Sequence, residues 1–261
     1  MRAPIFQLDA FTTRRFAGNP AAVVLLPAFL SPAVMQAIAA ENNLAETAFI
    51  VPVDDDYHIR WFTPTVEVPL CGHATLASAA VIIERLTPTL REIVFHSASG
   101  PLPVRRTETG YVMNFPARAT SVIDAPPELS EALRVTPIEA LIDPVNFVAR
   151  LADAEAVRTL APDLGAIAQL GRAGVIVTAE GDDGFDFVSR YFAPAKGIPE
   201  DPVTGGAHCT LTPYWATRLG RNNFRAYQAS PRGGEVRCRV VGDRVELEGD
   251  CVFYLEGWID L

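Results

Sequence analysis

The sequence contains no Cys-x-x-Cys pair, no GxxxxGK[S/T] phosphate loop and no GxGxxG turn after a strand. Its four cysteines, Cys71, Cys209, Cys238 and Cys251, stand singly. That spacing argues against the usual zinc and dithiol motifs and predicts free thiols in a reducing compartment. Without the phosphate loop or the dinucleotide fingerprint, conventional nucleotide binding is disfavoured. There is no long apolar run either: the stretch 21–30 is ten residues and is broken by Pro27, too short to cross a bilayer. Gln7 and Asp9 fall where a signal peptide would be apolar. A cytoplasmic protein with no membrane partner is therefore expected. Basic residues are in deficit, 22 against 31 acidic, for a net charge of −9. Phosphate neutralisation gains nothing from that balance, so no nucleic-acid partner is expected.

What remains is ordinary folded composition. The 261 residues are 49% apolar and 20% charged, enough for one large domain or two of about 130. Most periodic segments are short and alternating, which predicts strands over 5–11, 22–26, 48–53, 57–62, 93–97, 111–115, 145–150, 174–178, 185–191, 236–241 and 244–248. Gly242-Asp243 reads as a two-residue hairpin loop. Helices are few. One over 31–41 opens with Ser-Pro, an N-cap followed by Pro, and a similar one follows Asp153. A helix over 73–86 is apolar almost all round, so it must be surrounded by other structure. A fourth over 207–219 contains Pro213, which should kink it or shift its start. Many strands and few helices make an α+β protein with sheets curled around central helices.

The chain also repeats itself. Arg60-Trp61-Phe62-Thr63-Pro64 returns as Arg190-Tyr191-Phe192-Ala193-Pro194. EVPLCGHATLASAAVIIERL from Glu67 aligns without gaps on EDPVTGGAHCTLTPYWATRL from Glu200, an offset of 200 − 67 = 133 residues. A duplicated unit implies two similar domains with a cleft, divided near 115–125 where Pro116, Pro126 and Pro127 gather.

In each copy a glycine-rich turn opens a helix, at Gly72 and at Gly205-Gly206. Free N–H groups and the positive end of the helix dipole suit such turns to a carboxylate. Polar groups cluster there: Cys71 and His73 on one turn, Asp201, Thr204 and His208 on the other. Histidine is the usual proton carrier near neutral pH. Glu46, in NNLAETAF, falls on a short turn between helix and strand.

DAFTTRRFAGNPAAVVLL, NNLAETAFI, RWFTPTVEVPLCGHATLASA and RYFAPAKGIPEDPVTGGAH, taken in that order, resemble the phenazine-biosynthesis PhzF-like family of isomerases. The resemblance implies the diaminopimelate epimerase-like fold: two pseudo-twofold-related domains, each a curled, mostly antiparallel sheet around a central helix. It divides the chain into 1–117, completed by the C-terminal strand 251–261, and 118–250. It implies a cofactor-free proton shift between carbons of a small amino or hydroxy acid, with isomerisation of trans-2,3-dihydro-3-hydroxyanthranilate as the type reaction. Glu46 would be the general base and acid, with His73 and Asp201 beside it. Gly72, Gly205, Gly206 and Ala207 would hold the substrate carboxylate, and Cys71 would be a substrate contact, a packing residue or a relic. No cofactor or metal is implied, and a homodimer is. Two positions depart from related patterns. Gly206 stands where the family often has Ser, and Thr204 stands where two-thiol racemases place their second cysteine, which disfavours that chemistry.

Two other classes of function fit some of these residues. A non-catalytic small-molecule or partner-binding protein could use the same cleft. A metal or thiol hydrolase could draw on Cys71, His73, His208 and Cys209, although their spacing is not that of a usual zinc site.

Overall fold

Segments that alternate in the sequence form strands in the computed structural model, which describes residues 1–261. The chain divides into two units, Met1–Asn114 with Glu248–Leu261, and Phe115–Leu247. The first half of the chain runs β1 (Arg2–Ala10), β2 (Asn19–Leu25), α1 (Pro32–Asn42), β3 (Glu46–Val53), β4 (Asp56–Phe62), β5 (Glu67–Val68), α2 (Gly72–Val81), β6 (Glu92–Ser97), β7 (Gly100–Arg106) and β8 (Tyr111–Pro116). The second runs β9 (Ser121–Ile123), α3 (Pro127–Leu133), β10 (Glu139–Ile142), β11 (Phe147–Arg150), α4 (Ala154–Arg158), α5 (Leu164–Ala168), β12 (Val175–Glu180), β13 (Phe187–Phe192), α6 (Gly205–Leu219), β14 (Asn223–Gln228), β15 (Gly234–Val241) and β16 (Arg244–Gly249). A last strand, β17 (Cys251–Asp260), lies antiparallel to β1.

The two units repeat one pattern of pairing. In the first, β1–β2 is antiparallel, β2–β3 parallel, β3–β4 antiparallel, β4–β6 parallel and β6–β7 antiparallel. In the second, β10–β11, β11–β12, β12–β13, β13–β14 and β14–β15 follow the same alternation. Strands covered on both faces need apolar residues at successive positions. Accordingly Ala21, Ala22, Val23 and Val24 are all buried on β2. One face of this sheet packs under α1, with Val24, Met35, Ala39, Phe49 and Phe62 in one cluster. Helix α2 packs on β1, β2, β3 and β17, and every residue from His73 to Val81 is buried. Its hydroxyls turn back to the helix: Thr75 Oγ1 donates to the Cys71 carbonyl at 2.6 Å and Ser78 Oγ to Ala74 at 2.7 Å. In the second unit α3, α4 and α5 cover one face of the sheet. The Trp215 ring of α6 stacks on Phe187 at 5.8 Å and donates from Nε1 to Thr178 Oγ1 at 3.0 Å.

Several sequence expectations meet differences with physical causes. Helix α6 continues unbroken through Pro213, and it starts at Gly205. Proline has no N–H for the carbonyl four residues back, and the Arg118 backbone N–H takes that carbonyl, Cys209 O, at 3.0 Å. Glu46 heads β3 instead of lying on a turn, and the turn before it uses Asn43 in the left-handed region, φ 48°. Ser31 precedes α1 without a side-chain cap bond. Strand β7 contains Pro101 and Pro103, which β6 opposes while β8 pairs only with Val104–Arg106. The prolines thus sit on an edge, where a missing donor costs little.

The repeated Arg and Glu form one clip in both units. Arg60 grips Glu67 with two bonds of 2.7 Å, and Arg190 grips Glu200 at 2.7 and 2.9 Å. Each guanidinium also lies over the Phe two residues on, at 5.3 Å from Phe62 and 4.8 Å from Phe192. Burial separates the two. Arg190 is 9% exposed and also donates to the carbonyls of Val157, Arg158 and Leu160 at the end of α4. Arg190→Ala should cost about 3 kcal/mol, because it strands a largely buried carboxylate and three carbonyls. Arg60→Ala should cost about 1 kcal/mol or less. Urea unfolding of the two variants checks this, and equal losses would contradict it.

Candidate functional site

The N-terminal motif builds the wall against which His73 rests. Asp9, at the end of β1, is 3% exposed and accepts the Phe16 N–H at 2.8 Å. The loop closes at Gly18, with φ +65°, where an added Cβ would lie 2.1 Å from the Ala10 carbonyl oxygen. Only glycine fits that approach. The chain then enters β2 through Pro20, whose backbone carbonyl faces the His73 ring.

Three side chains from two segments meet there. Glu46 reaches in from the head of β3, Cys71 occupies the N-cap of α2, and His73 lies in its first turn. His73 Nε2 is 3.2 Å from Glu46 Oε2, and Nδ1 is 3.5 Å from Cys71 Sγ. One donor atom from each residue falls within 4.8 Å of the other two. His73 and Cys71 are 5% and 6% exposed, and the Glu46 side chain 12%. Burial drives the imidazole pKa down to about 4, with the Pro20 carbonyl pulling the other way. The ring is therefore neutral at physiological pH, and the approach to Glu46 is not that of an imidazolium ion pair. Nε2 makes no aligned hydrogen bond, so a close carboxyl faces a neutral ring without being locked by it. Sequence spacing around Cys71 and His73 showed no metal motif; the third donor, Glu46, comes from a different strand.

In the second unit Asp201 and the start of α6 form a separate polar cluster. Thr204 is the N-cap of α6, and its hydroxyl donates to Asp201 Oδ2 at 2.6 Å. Gln228, fully buried on β14, ties the cluster together. Its Oε1 accepts the Thr204 N–H at 2.8 Å, and its Nε2 donates to the Asp201 carbonyl at 2.7 Å. Sequence reasoning missed Gln228, since a single glutamine in a strand carries no pattern. The Ala207 N–H is turned back to the Thr204 carbonyl at 3.1 Å. That leaves Gly205 and Gly206 as the first-turn donors with no carbonyl one turn behind them. Neither glycine is demanded by the fold. An added Cβ would meet Leu247 Cδ1 at 3.4 Å from Gly205 and Arg118 Nη1 at 3.4 Å from Gly206, both ordinary contacts. His208 is fully buried, its Nδ1 2.9 Å from the Thr204 carbonyl, and burial lowers its pKa to about 4. Cys209 is buried, its thiol pushed up to about 11, and Cys71, Cys209, Cys238 and Cys251 are all free of disulfides. No helix is long and apolar enough to cross a membrane.

Comparison with known proteins adds identity to this geometry. The profile of the phenazine biosynthesis-like protein family matches residues 8–257. An uncharacterized isomerase of Pseudomonas aeruginosa is 48% identical over 261 residues, covering 100% of both chains. The crystal structure of a phenazine biosynthesis protein of the PhzF family from Enterococcus faecalis superposes with a TM-score of 0.97 at 44% identity, covering 100% of both chains. A hydroxyproline epimerase from Agrobacterium vitis, 11% identical, shares the fold with a TM-score of 0.63 over 99% of this chain and 92% of its own.

His73 and His208 titrate near 4 in the fold against 6.5 for an ordinary imidazole, so the unfolded chain takes up protons first as pH falls. Their contribution is complete above pH 6.5 and is lost as pH drops toward 4. Urea unfolding should show a loss of about 2 kcal/mol per ring between pH 7 and pH 5; a flat profile would contradict the burial argument. Gly206→Ala should stay within about 1 kcal/mol of the parent, whereas Gly18→Ala should lose on the order of 2–3 kcal/mol or more. Thermal melts of both variants check the contrast.

Proposed function

The chain belongs to the phenazine biosynthesis-like family, and we propose that this isomerase moves a proton between carbons of a small carboxylate-bearing amino or hydroxy acid, without a cofactor, through Glu46. The observation that carries the reading is the neutral His73 ring 3.2 Å from the Glu46 carboxyl. An acid–base residue must be stable in both protonation states during one turnover. A neutral imidazole meets both. With the proton on Nε2 it faces a carboxylate, and with the proton on Nδ1 its bare Nε2 accepts from a carboxylic acid. A buried imidazolium in the same place would hold Glu46 as the anion and oppose the second half of the cycle.

In this reading Glu46 removes a proton from a substrate carbon as a carboxylate and returns it to another carbon as the acid. His73 stays neutral beside it throughout. Asp201, held by Thr204 and Gln228, orients a substrate amine or hydroxyl. The substrate carboxylate is assigned to the backbone N–H groups at Gly72, Gly205 and Gly206. The room beside Gly205 and Gly206 supports this assignment, because the fold would accept a side chain at either position. Ala207 contributes its place in the turn more than its N–H, which Thr204 already engages. Thr204 in place of a second cysteine leaves the one-carboxyl mechanism as the reading that the residues support.

The test is isotopic. The enzyme is incubated in heavy water with trans-2,3-dihydro-3-hydroxyanthranilate and a panel of small amino and hydroxy acids. A turned-over member should acquire deuterium at carbon. Glu46→Gln should slow that exchange by about 10²–10⁴-fold with the circular dichroism spectrum unchanged. Undiminished exchange in Glu46→Gln would remove this residue from the mechanism.

A further inference from the structure

We propose that Glu46, Cys71 and His73 form a binding site for one borderline-soft divalent cation of the zinc type, and that the ion inhibits by occupying Glu46. The donor set is a thiol, an imidazole and a carboxylate, each able to offer one ligand atom. Zinc bonds such atoms at about 2.0–2.3 Å in tetrahedral sites, and three protein ligands leave the fourth position to water or substrate. The three atoms already lie within 4.8 Å of one another.

The backbone carries the ligands on well-packed elements. Cys71 and His73 flank the first turn of a helix whose body is buried from His73 to Val81. Glu46 heads a strand paired on both sides, to β2 and to β4. Rigid elements hold ligands more closely than loops do. Sulfur in the set selects against magnesium and calcium, which take oxygen ligands. Binding the cation is independent of the isomerase reading; only the inhibition rests on it. An ion bonded to Glu46 removes the carboxyl from proton transfer, so the metal and the reaction exclude each other.

The experiment titrates tag-free full-length protein with zinc chloride by calorimetry, and with magnesium chloride as the hard-ion control. One zinc per chain is expected and no magnesium. Cys71→Ala and His73→Ala should each weaken zinc binding roughly tenfold or more, and Cys209→Ala should leave it unchanged. Cobalt provides a second readout: a thiolate-to-cobalt absorption band that Cys71→Ala abolishes. Should Cys71→Ala fail to fold by circular dichroism, Cys71→Ser replaces it and should likewise lose the band. No stoichiometric binding by the parent, or equal binding after Cys71 is removed, overturns the proposal. Zinc that binds through Cys71 while Glu46→Gln still exchanges deuterium would keep the site and discard the isomerase role of Glu46.

Discussion

The site is organised around the contact between the Glu46 carboxyl and the His73 imidazole, which burial keeps uncharged. A charged partner at 3.2 Å would fix the protonation state of Glu46; a neutral one leaves it able to change. The surroundings produce this state from several directions. Asp9 and Gly18 shape the loop that delivers Pro20, β3 delivers Glu46, and α2 delivers His73 from a helix with no solvent face. The cost of burying the imidazole appears as lost stability in acid. What burial leaves beside the carboxyl is an uncharged ring.

The second unit reuses the same architecture for a different kind of residue. Its strands alternate between parallel and antiparallel neighbours as the first unit's do, and its Arg–Glu clip copies the first unit's to within a few tenths of an ångström. The first turn of α6, however, carries glycines and an aspartate clasped by Thr204 and Gln228, where α2 begins with Cys71 and His73. The shared frame carries different helix starts. In each unit the clip joins a strand to the segment that precedes the helix.

The elements most legible in the sequence were those set by period and by punctuation. Alternating runs such as 57–62 and 111–115 became strands, Gly242-Asp243 became the loop between β15 and β16, and the all-apolar stretch after His73 became a helix buried on every side. Less visible were features decided by partners far away in the chain. Nothing local reveals that Arg118 supplies the N–H that Pro213 denies to Cys209, so Pro213 alone reads as a kink or a shifted start in a helix that is unbroken over Gly205–Leu219. Pro101 and Pro103 hid β7, because their tolerance depends on how far β8 extends. Gln228 holds Asp201 from a strand in which it looks like any exposed polar residue. The family motifs pointed to Glu46, yet its 3.2 Å approach to His73 needed the register of β3 beside β2.

The charge state of His73 can be read directly. In protein labelled with ¹⁵N-histidine, the ring nitrogen shifts of His73, assigned through loss of the signal in His73→Asn, report protonation and tautomer across a titration. The account predicts a neutral ring at pH 7 and at pH 5.5, with a midpoint near 4. An imidazolium at pH 7 would contradict it, because Glu46 would then be held as a carboxylate and could not serve as the acid that completes the proton shift.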